Sequence, residues 1–289
     1  MSNVTPLTDL TGSRLVIVAG KGGVGKTTVT AVLARAAADR GQRVLVVELD
    51  GKTVLDDLVP DLDVRHVSAA DSLEEYLFEH GFKRIAKRLA STGVIDVIGT
   101  AAPGIDDLVV LGKIKQWERS GEWDLIVVDG PAAGHAVTFL TAAAGLLDAV
   151  RGGPVREQAE DVSAMLRDPE RCRVVLVSLP ETTPVNELIE TSFAIEERVG
   201  VQLGPLVIDQ VDTTTQLDDP DTIDFGRARK DVAEARAAAA FTRSRRAVQQ
   251  AELARLAAAV PLPQVHLSRR PVAGLTPADI VALAAEITP

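Results

Sequence analysis

One cysteine in 289 residues leaves nothing from which a single chain could build a disulfide framework or a multi-thiolate metal or iron–sulfur site. Aromatic residues are scarce too, at 3% against 46% apolar overall, so the core has to be made mostly of Val, Leu, Ile and Ala. Positive charge is in deficit: 31 Lys and Arg against 41 Asp and Glu give a formal charge of −10. That balance argues against a nucleic-acid or anionic-membrane surface, since either needs a basic face. The opening MSNVTPLTDLTGS lacks the basic-then-apolar order of a signal peptide. The most apolar long stretch, Ala132 to Val150, is broken by His135, Thr138, Thr141, Gly145 and Asp148. A spanning helix needs about 20 largely uninterrupted apolar residues, so a buried or groove-lining helix in a cytoplasmic protein is expected instead.

Short β-rich runs alternate with longer helical ones, the mark of a parallel sheet covered on both faces. Expected strands are Arg14–Val18, Arg43–Leu49, Val94–Ile98, Leu125–Val128, Arg173–Ser178 and Pro205–Ile208, whose apolar runs do not alternate with polar residues. A helix is expected over Thr27–Asp39, ending at Gly41. Ser72 and Glu75 read as a capping box opening a short helix that stops near Gly81. Thr183-Pro184 and Thr276-Pro277 each place a capping hydroxyl before a first-turn proline. Residues 226–259 read as Ala/Arg-rich helix on the outside of the sheet. With no repeat or linker, residues 12–289 are expected to form one domain after a flexible N-terminus at 1–11. Helical insertions are expected near 53–123 and 130–167.

The strongest signal is Gly20-Lys21-Gly22-Gly23-Val24-Gly25-Lys26-Thr27-Thr28, which follows a β run and opens a helical one. In that setting, glycines let consecutive N–H groups converge on β- and γ-phosphates beside the positive end of a helix. Lys26 supplies a cation across the phosphate oxygens, and the Thr27 hydroxyl can ligate Mg²⁺. The expectation is a nucleoside triphosphate site in a P-loop NTPase: an α/β fold with a mostly parallel central sheet, helices on both faces and helical additions. Two acids, Asp50 and Asp129, follow apolar strands, and strand carboxyl ends frame the ligand crevice of such sheets. One acid can orient Mg²⁺-bound water and another can position or deprotonate the attacking water. Capping of the next helix or turn is the plainer role for each. Glu48, one residue before the strand end, is expected to point away or pair locally. Asp129-Gly130-Pro131-Ala132-Ala133-Gly134-His135 suggests a loop near the γ-phosphate that shifts when it leaves. His135 by itself is more often structural.

With these residues in place, the chain resembles the ArsA-type ATPases, the arsenical-pump and tail-anchored-protein-targeting group, over about residues 12–270. Within that group it looks like the shorter ArsA-related proteins of actinobacteria. Lys21, at the second position of the loop, resembles the deviant form of the motif shared with MinD, ParA and the nitrogenase iron protein. The resemblance implies that this lysine reaches a partner subunit's nucleotide; an exposed loop lysine is the alternative. Asp50 stands where the family's first switch has Asp-Pro-Ala-His, although Gly51-Lys52 follow here. Asp129, Gly134 and His135 match a second switch of the form Asp-x-x-x-x-Gly-His, with Ala133 where Thr is usual. Pro103-Gly104-Ile105-Asp106 and Pro180-Glu181 are weaker matches. Cys172 cannot form the family's paired-cysteine zinc clip and reads as a small buried residue at a strand start. Two methionines are too few for a methionine-rich client groove.

The base-reading asparagine of the family is replaced by Asp209, followed by Gln210. A carboxylate only accepts hydrogen bonds, so Gln210 or the backbone near Pro261–Pro263 is expected to read adenine. The resemblance implies a cytoplasmic Mg²⁺-dependent ATPase. It would act as a homodimer, or a heterodimer with a paralogous chain, and couple ATP hydrolysis to a client protein. The rivals are a positioning ATPase like MinD or ParA and a nucleotide-locked subunit that barely hydrolyses. The former suits the sequence less, because the amphipathic C-terminus TPADIVALAAEITP has no Lys or Arg.

Overall fold

Leu15–Gly20 (β1) lies at the middle of the sheet, hydrogen-bonded in parallel to a strand on each side. In the computed structural model, which describes residues 12–49, 53–79, 104–213 and 229–288, seven strands form one sheet. The other strands are β2 (Val44–Leu49), β3 (Asp63–Val67), β4 (Leu125–Ala132), β5 (Cys172–Ser178), β6 (Leu206–Val211) and β7 (Gln264–Ser268). Their order is β3-β2-β4-β1-β5-β6-β7, and every pairing is parallel. All six residues of β1 and of β2 are buried, as unalternating Val/Leu/Ile runs require. The expected strand at Val94–Ile98 lies outside the described residues, as do residues 1–11 and Gly81.

Two strands were not expected from the sequence, β3 and β7. Both sit at the sheet's edges and are short and half polar, so neither carries the continuous apolar run of a central strand. The segment 53–123 therefore contributes an edge strand as well as helices. On β3, Arg65 lies over the rings of Trp117 and Trp123, at 5.1 and 5.6 Å from their centroids.

Helices cover both faces. On one face Val16, Val18, Val46 and Val127 pack against α1 (Lys26–Ala38), α2 (Val54–Leu58) and the C-terminal helix Pro277–Ile287. On the other, Leu15, Ile17, Val47 and Ile126 pack against α4 (Ile105–Ser120), α5 (Ala133–Ala149), α6 (Pro154–Arg167) and α7 (Thr182–Arg198). The α5 helix is the apolar stretch noted above. No helix among the described residues is long and apolar enough to cross a membrane. Helix α8 (Arg229–Ala259) is largely exposed and ties down near its end through Leu256 and Glu252, which accepts from Thr182 at 2.9 Å. Cys172 is wholly buried at the start of β5, and that burial holds its thiol protonated, far above the usual range.

Helix starts differ locally from expectation. The helix α3 (Ala69–Glu79) opens three residues before Ser72, and Ser68 serves its N-terminus by accepting from Asp71 N at 3.1 Å. Ser72 instead donates back to the Ser68 carbonyl at 2.8 Å. Thr183 is likewise inside α7, whose cap position is Glu181 with no side-chain cap bond. The C-terminal helix, here α9, does begin with the expected Thr276 cap, as a capping box with Asp279.

A buried ion pair joins α4 to the start of β5, which runs beside β1. Glu118, 4% exposed, accepts from Arg171 at 3.1 and 2.6 Å. Arg171→Ala should cost about 3–5 kcal/mol by stranding that carboxylate, and Glu118→Leu in the same chain should recover most of the loss. Urea unfolding of the single and double variants measures both effects.

Candidate functional site

Parallel strands bring their carboxyl ends to one edge, and the glycine-rich loop leaves that edge from the middle strand. Helix α1 begins at Lys26, with Gly25 in the left-handed region at φ 92°. A Cβ on Gly25 would lie 2.1 Å from Asp209 Oδ2, so glycine is required there for space as well as for conformation. Val24, 1% exposed, plugs the loop into the core of the α1 face, while Gly22 and Gly23 stay exposed. Lys26 Nζ folds back over the loop to 3.3 Å from the Lys21 carbonyl oxygen.

The neighbouring strand β4 supplies the acid. Asp129, 5% exposed, accepts from the Thr27 hydroxyl at 2.7 Å through Oδ2. The next residue, Gly130, lies so close to β1 that a Cβ would be 2.4 Å from the Val18 carbonyl oxygen. Beyond it α5 begins, with Gly134 and His135 exposed in its first turn. Loop, strand end and helix wall a cleft of about 1050 Å³. Gly22, Gly23, Gly25, Lys26, Thr27 and Thr28 line it on one side, and Asp129, Pro131 and His135 on another. Asp106 and Asp107, from the first turn of α4, also face it. Asp106 enters the sequence reading only as the last residue of the weaker Pro-Gly-Ile-Asp match, with no role attached, and Asp107 does not enter it. Asp50 and Gly51-Lys52 lie outside the described residues, as does Pro103.

Lys21 turns away from the loop and pairs with Glu187 of α7, both side chains being about a third exposed. Asp209 and Gln210 end β6. Asp209 is 5% exposed against Gly25 and accepts from the Gln210 N–H at 2.8 Å. Burial pushes its carboxyl up to about 6, and the Gln210 N–H opposes that only in part. Gln210 has φ 58°, the one positive value among the described non-glycine residues. It lines a second cavity, of about 300 Å³, with Pro180, Glu181, Arg245, Arg246 and Arg269. Pro261 is not brought there. Leu206, the first residue of β6, donates to the Pro263 carbonyl at 2.8 Å, which puts residues 261–263 at the opposite end of the sheet from the loop.

Glu48 is fully buried and lies opposite Asp129 in the strand register, on the same face. It does pair locally, through His66 Nδ1 at 3.4 Å, and burial raises its carboxyl above the ordinary range despite that histidine. His66 and its second partner, Asp56, at 2.9 Å, escaped sequence reasoning, because 17 residues of chain lie between Glu48 and His66.

A glycine-rich loop between the central strand and a helix, with its threonine bonded to the acid of the adjacent strand, defines the P-loop NTPase class. Residues 13–151 match the family model ArsA_ATPase, described as anion-transporting ATPase. The ATPase BagA of Mycobacterium tuberculosis is 33% identical over 228 residues, 70% of this chain and 66% of that protein. A putative ATPase of Mycobacterium bovis matches over the same shares. An arsenical pump-driving ATPase of Acidiphilium multivorum is 30% identical over 201 residues, covering 65% of this chain and 33% of that protein. The chain belongs to the ArsA-related ATPase family. It spans 66% of the length of the mycobacterial relatives.

The raised carboxyl of Asp209 makes stability pH-dependent. The folded chain keeps this proton up to about pH 6, whereas an ordinary aspartate near 3.8 loses it earlier. The stabilising contribution is therefore complete below the unfolded value and lost as pH rises through about 6. Asp209→Asn, neutral throughout, should match wild type near about pH 4 and exceed it by about 3 kcal/mol near about pH 8. Thermal melts of both proteins across that range measure the divergence.

Proposed function

We propose that the chain is a cytoplasmic, Mg²⁺-dependent ATPase that works as a dimeric switch, its nucleotide state setting its affinity for a client or partner protein. The Thr27–Asp129 hydrogen bond at the head of the cleft carries this reading. A hydroxyl and a carboxylate held 2.7 Å apart, beside backbone N–H groups that no Cβ crowds, are the oxygen donors a hard cation needs next to phosphates. Mg²⁺ bound there would be held by Thr27 directly and by Asp129 through water, with Asp50 as the second acid; it would neutralise charge on the β- and γ-oxygens. The loop N–H groups and Lys26 hold the phosphates in line for attack by water. Catalysis then comes from positioning and charge stabilisation.

Lys21 fits the role of a lysine given to a partner subunit. Its pairing with Glu187 is partly exposed, and exposed ion pairs are worth only about 0–1 kcal/mol. A partner's triphosphate in a closed dimer can readily replace such a contact. The partner is a second copy of the chain or a paralogous chain. His135 and Gly134, at the start of α5, are placed to move when the γ-phosphate leaves.

The base belongs in the second cavity, beside Gln210. A primary amide both donates and accepts, which matches adenine's amino group and ring nitrogen. The Asp209 carboxyl supports the loop at Gly25 and does not read the base alone.

Lys21→Ala should bind ATP as wild type does and lose at least about a hundredfold in turnover. Lys26→Ala should lose binding itself. Wild-type turnover in Lys21→Ala contradicts the partner-lysine model, and ATP binding without turnover in the wild type identifies a nucleotide-locked subunit. In competition titrations ATP should displace GTP; the reverse order contradicts the assignment of the base to Gln210.

A further inference from the structure

On the α1 face of the sheet, β2, β3 and α2 bring together three ligand-bearing side chains that the nucleotide reading does not use. Glu48 and His66 are register partners on adjacent parallel strands, so they share a face. The short helix α2 lays Asp56 beside them. His66 Nε2 is 2.9 Å from Asp56 Oδ2, and His66 Nδ1 is 3.4 Å from Glu48 Oε2. One ligand atom from each of the three lies within 4.8 Å of the others.

Glu48 sets this cluster apart from an ordinary group of surface acids. Its side chain is wholly buried and aimed at His66, and its carboxylate oxygens make no hydrogen bond of good geometry, only a looser approach from the Leu55 backbone N–H and the contact with His66. The 3.4 Å approach of His66 is too long to count as one. Unless it takes up a proton, a carboxylate so buried costs several kcal/mol that a cation would compensate. Among the described residues, neither Glu48 nor Asp56 pairs with a lysine or arginine. One imidazole has at most a single positive charge to share between two carboxylates.

We propose that Glu48, Asp56 and His66 bind a divalent transition metal, Zn²⁺ being the best match, at a site separate from the nucleotide's Mg²⁺. An imidazole in the set favours Zn²⁺ over Mg²⁺ or Ca²⁺, which prefer all-oxygen shells. Three protein ligands leave one coordination position for water. His66 and Asp56 are about two-fifths and nearly half exposed, so the ion has an entry path that does not cross the core. The metal ties the edge strand β3 and helix α2 to β2.

Isothermal titration of the full chain, stripped with chelator and free of nucleotide, tests this with ZnCl2 and MgCl2 as probes. Zn²⁺ should bind at one equivalent and Mg²⁺ should not compete. Even an outer-shell partner is worth about 10–100-fold in metal affinity, so loss of a ligand in His66→Ala or Asp56→Asn should weaken Zn²⁺ at least that much. Asp56 is a surface residue of α2, so its variant keeps the fold, which a melt without metal checks. Thr27→Ala, which removes the hydroxyl proposed for the nucleotide's cation but none of the three Zn²⁺ ligands, should keep the one-equivalent Zn²⁺ site. Absence of a one-equivalent Zn²⁺ site, or wild-type Zn²⁺ affinity retained in both ligand variants, overturns the proposal. Since no nucleotide is present, failure here is distinct from failure of the ATPase reading.

Discussion

The hydrogen bond from Thr27 to Asp129 joins the first turn of α1 to the end of β4, and the geometry of the cleft depends on it. For it to form, the loop must leave β1 at the sheet's middle, with β4 as an immediate neighbour and the register that places Val18 opposite Asp129. Gly130 permits that closeness, because a side chain would strike the Val18 carbonyl. Gly25 permits the turn into α1 and leaves space for Asp209 beneath the loop. Positions that look like flexibility in the sequence thus act mainly by removing atoms from places where two backbones, or a backbone and an acid, meet.

Electrostatics give the same site its chemistry. The chain carries a formal charge of −10 and yet has the loop of a polyanion-binding protein. Asp106, Asp107 and Asp129 line the cleft with Lys26, and Asp209 lies just under its floor. A triphosphate added to so many carboxylates calls for compensating charge beyond Lys26 and the helix dipole, which is what the proposed Mg²⁺ would supply. Below about pH 6 the burial that keeps Asp209 protonated also lessens the repulsion under the loop, a relief that is lost as the pH rises above that value. Acidic chain and anionic ligand are compatible because positive potential is gathered in one small place.

Much of the fold could be read from local pattern. β1, β2, β4 and β5 are continuous apolar runs, and the loop motif fixes both the strand before it and the helix after it. The edge strands β3 and β7 were not legible, because a strand with one solvated side carries too few apolar residues to stand out. Two helix starts were misplaced since several hydroxyls near each start satisfy the same capping pattern, and only tertiary packing chooses among them. The candidate site divides similarly. Gly20–Thr28 and Asp129 follow from spacing and strand position. Pro261 was assigned to the base, but register puts it at the far end of the sheet. Glu48, Asp56 and His66 meet only because β2 and β3 are adjacent, which no spacing along the chain records.

The direct test of the account is calorimetric titration of the chain with ATP, with and without Mg²⁺, in wild type and in Asp129→Asn. If the Thr27–Asp129 pair organises a cation–triphosphate site, Mg²⁺ should tighten ATP binding in wild type, and the substitution should remove most of that gain. An affinity that ignores Mg²⁺ in the wild type, or a Mg²⁺ effect left intact in the variant, would contradict it.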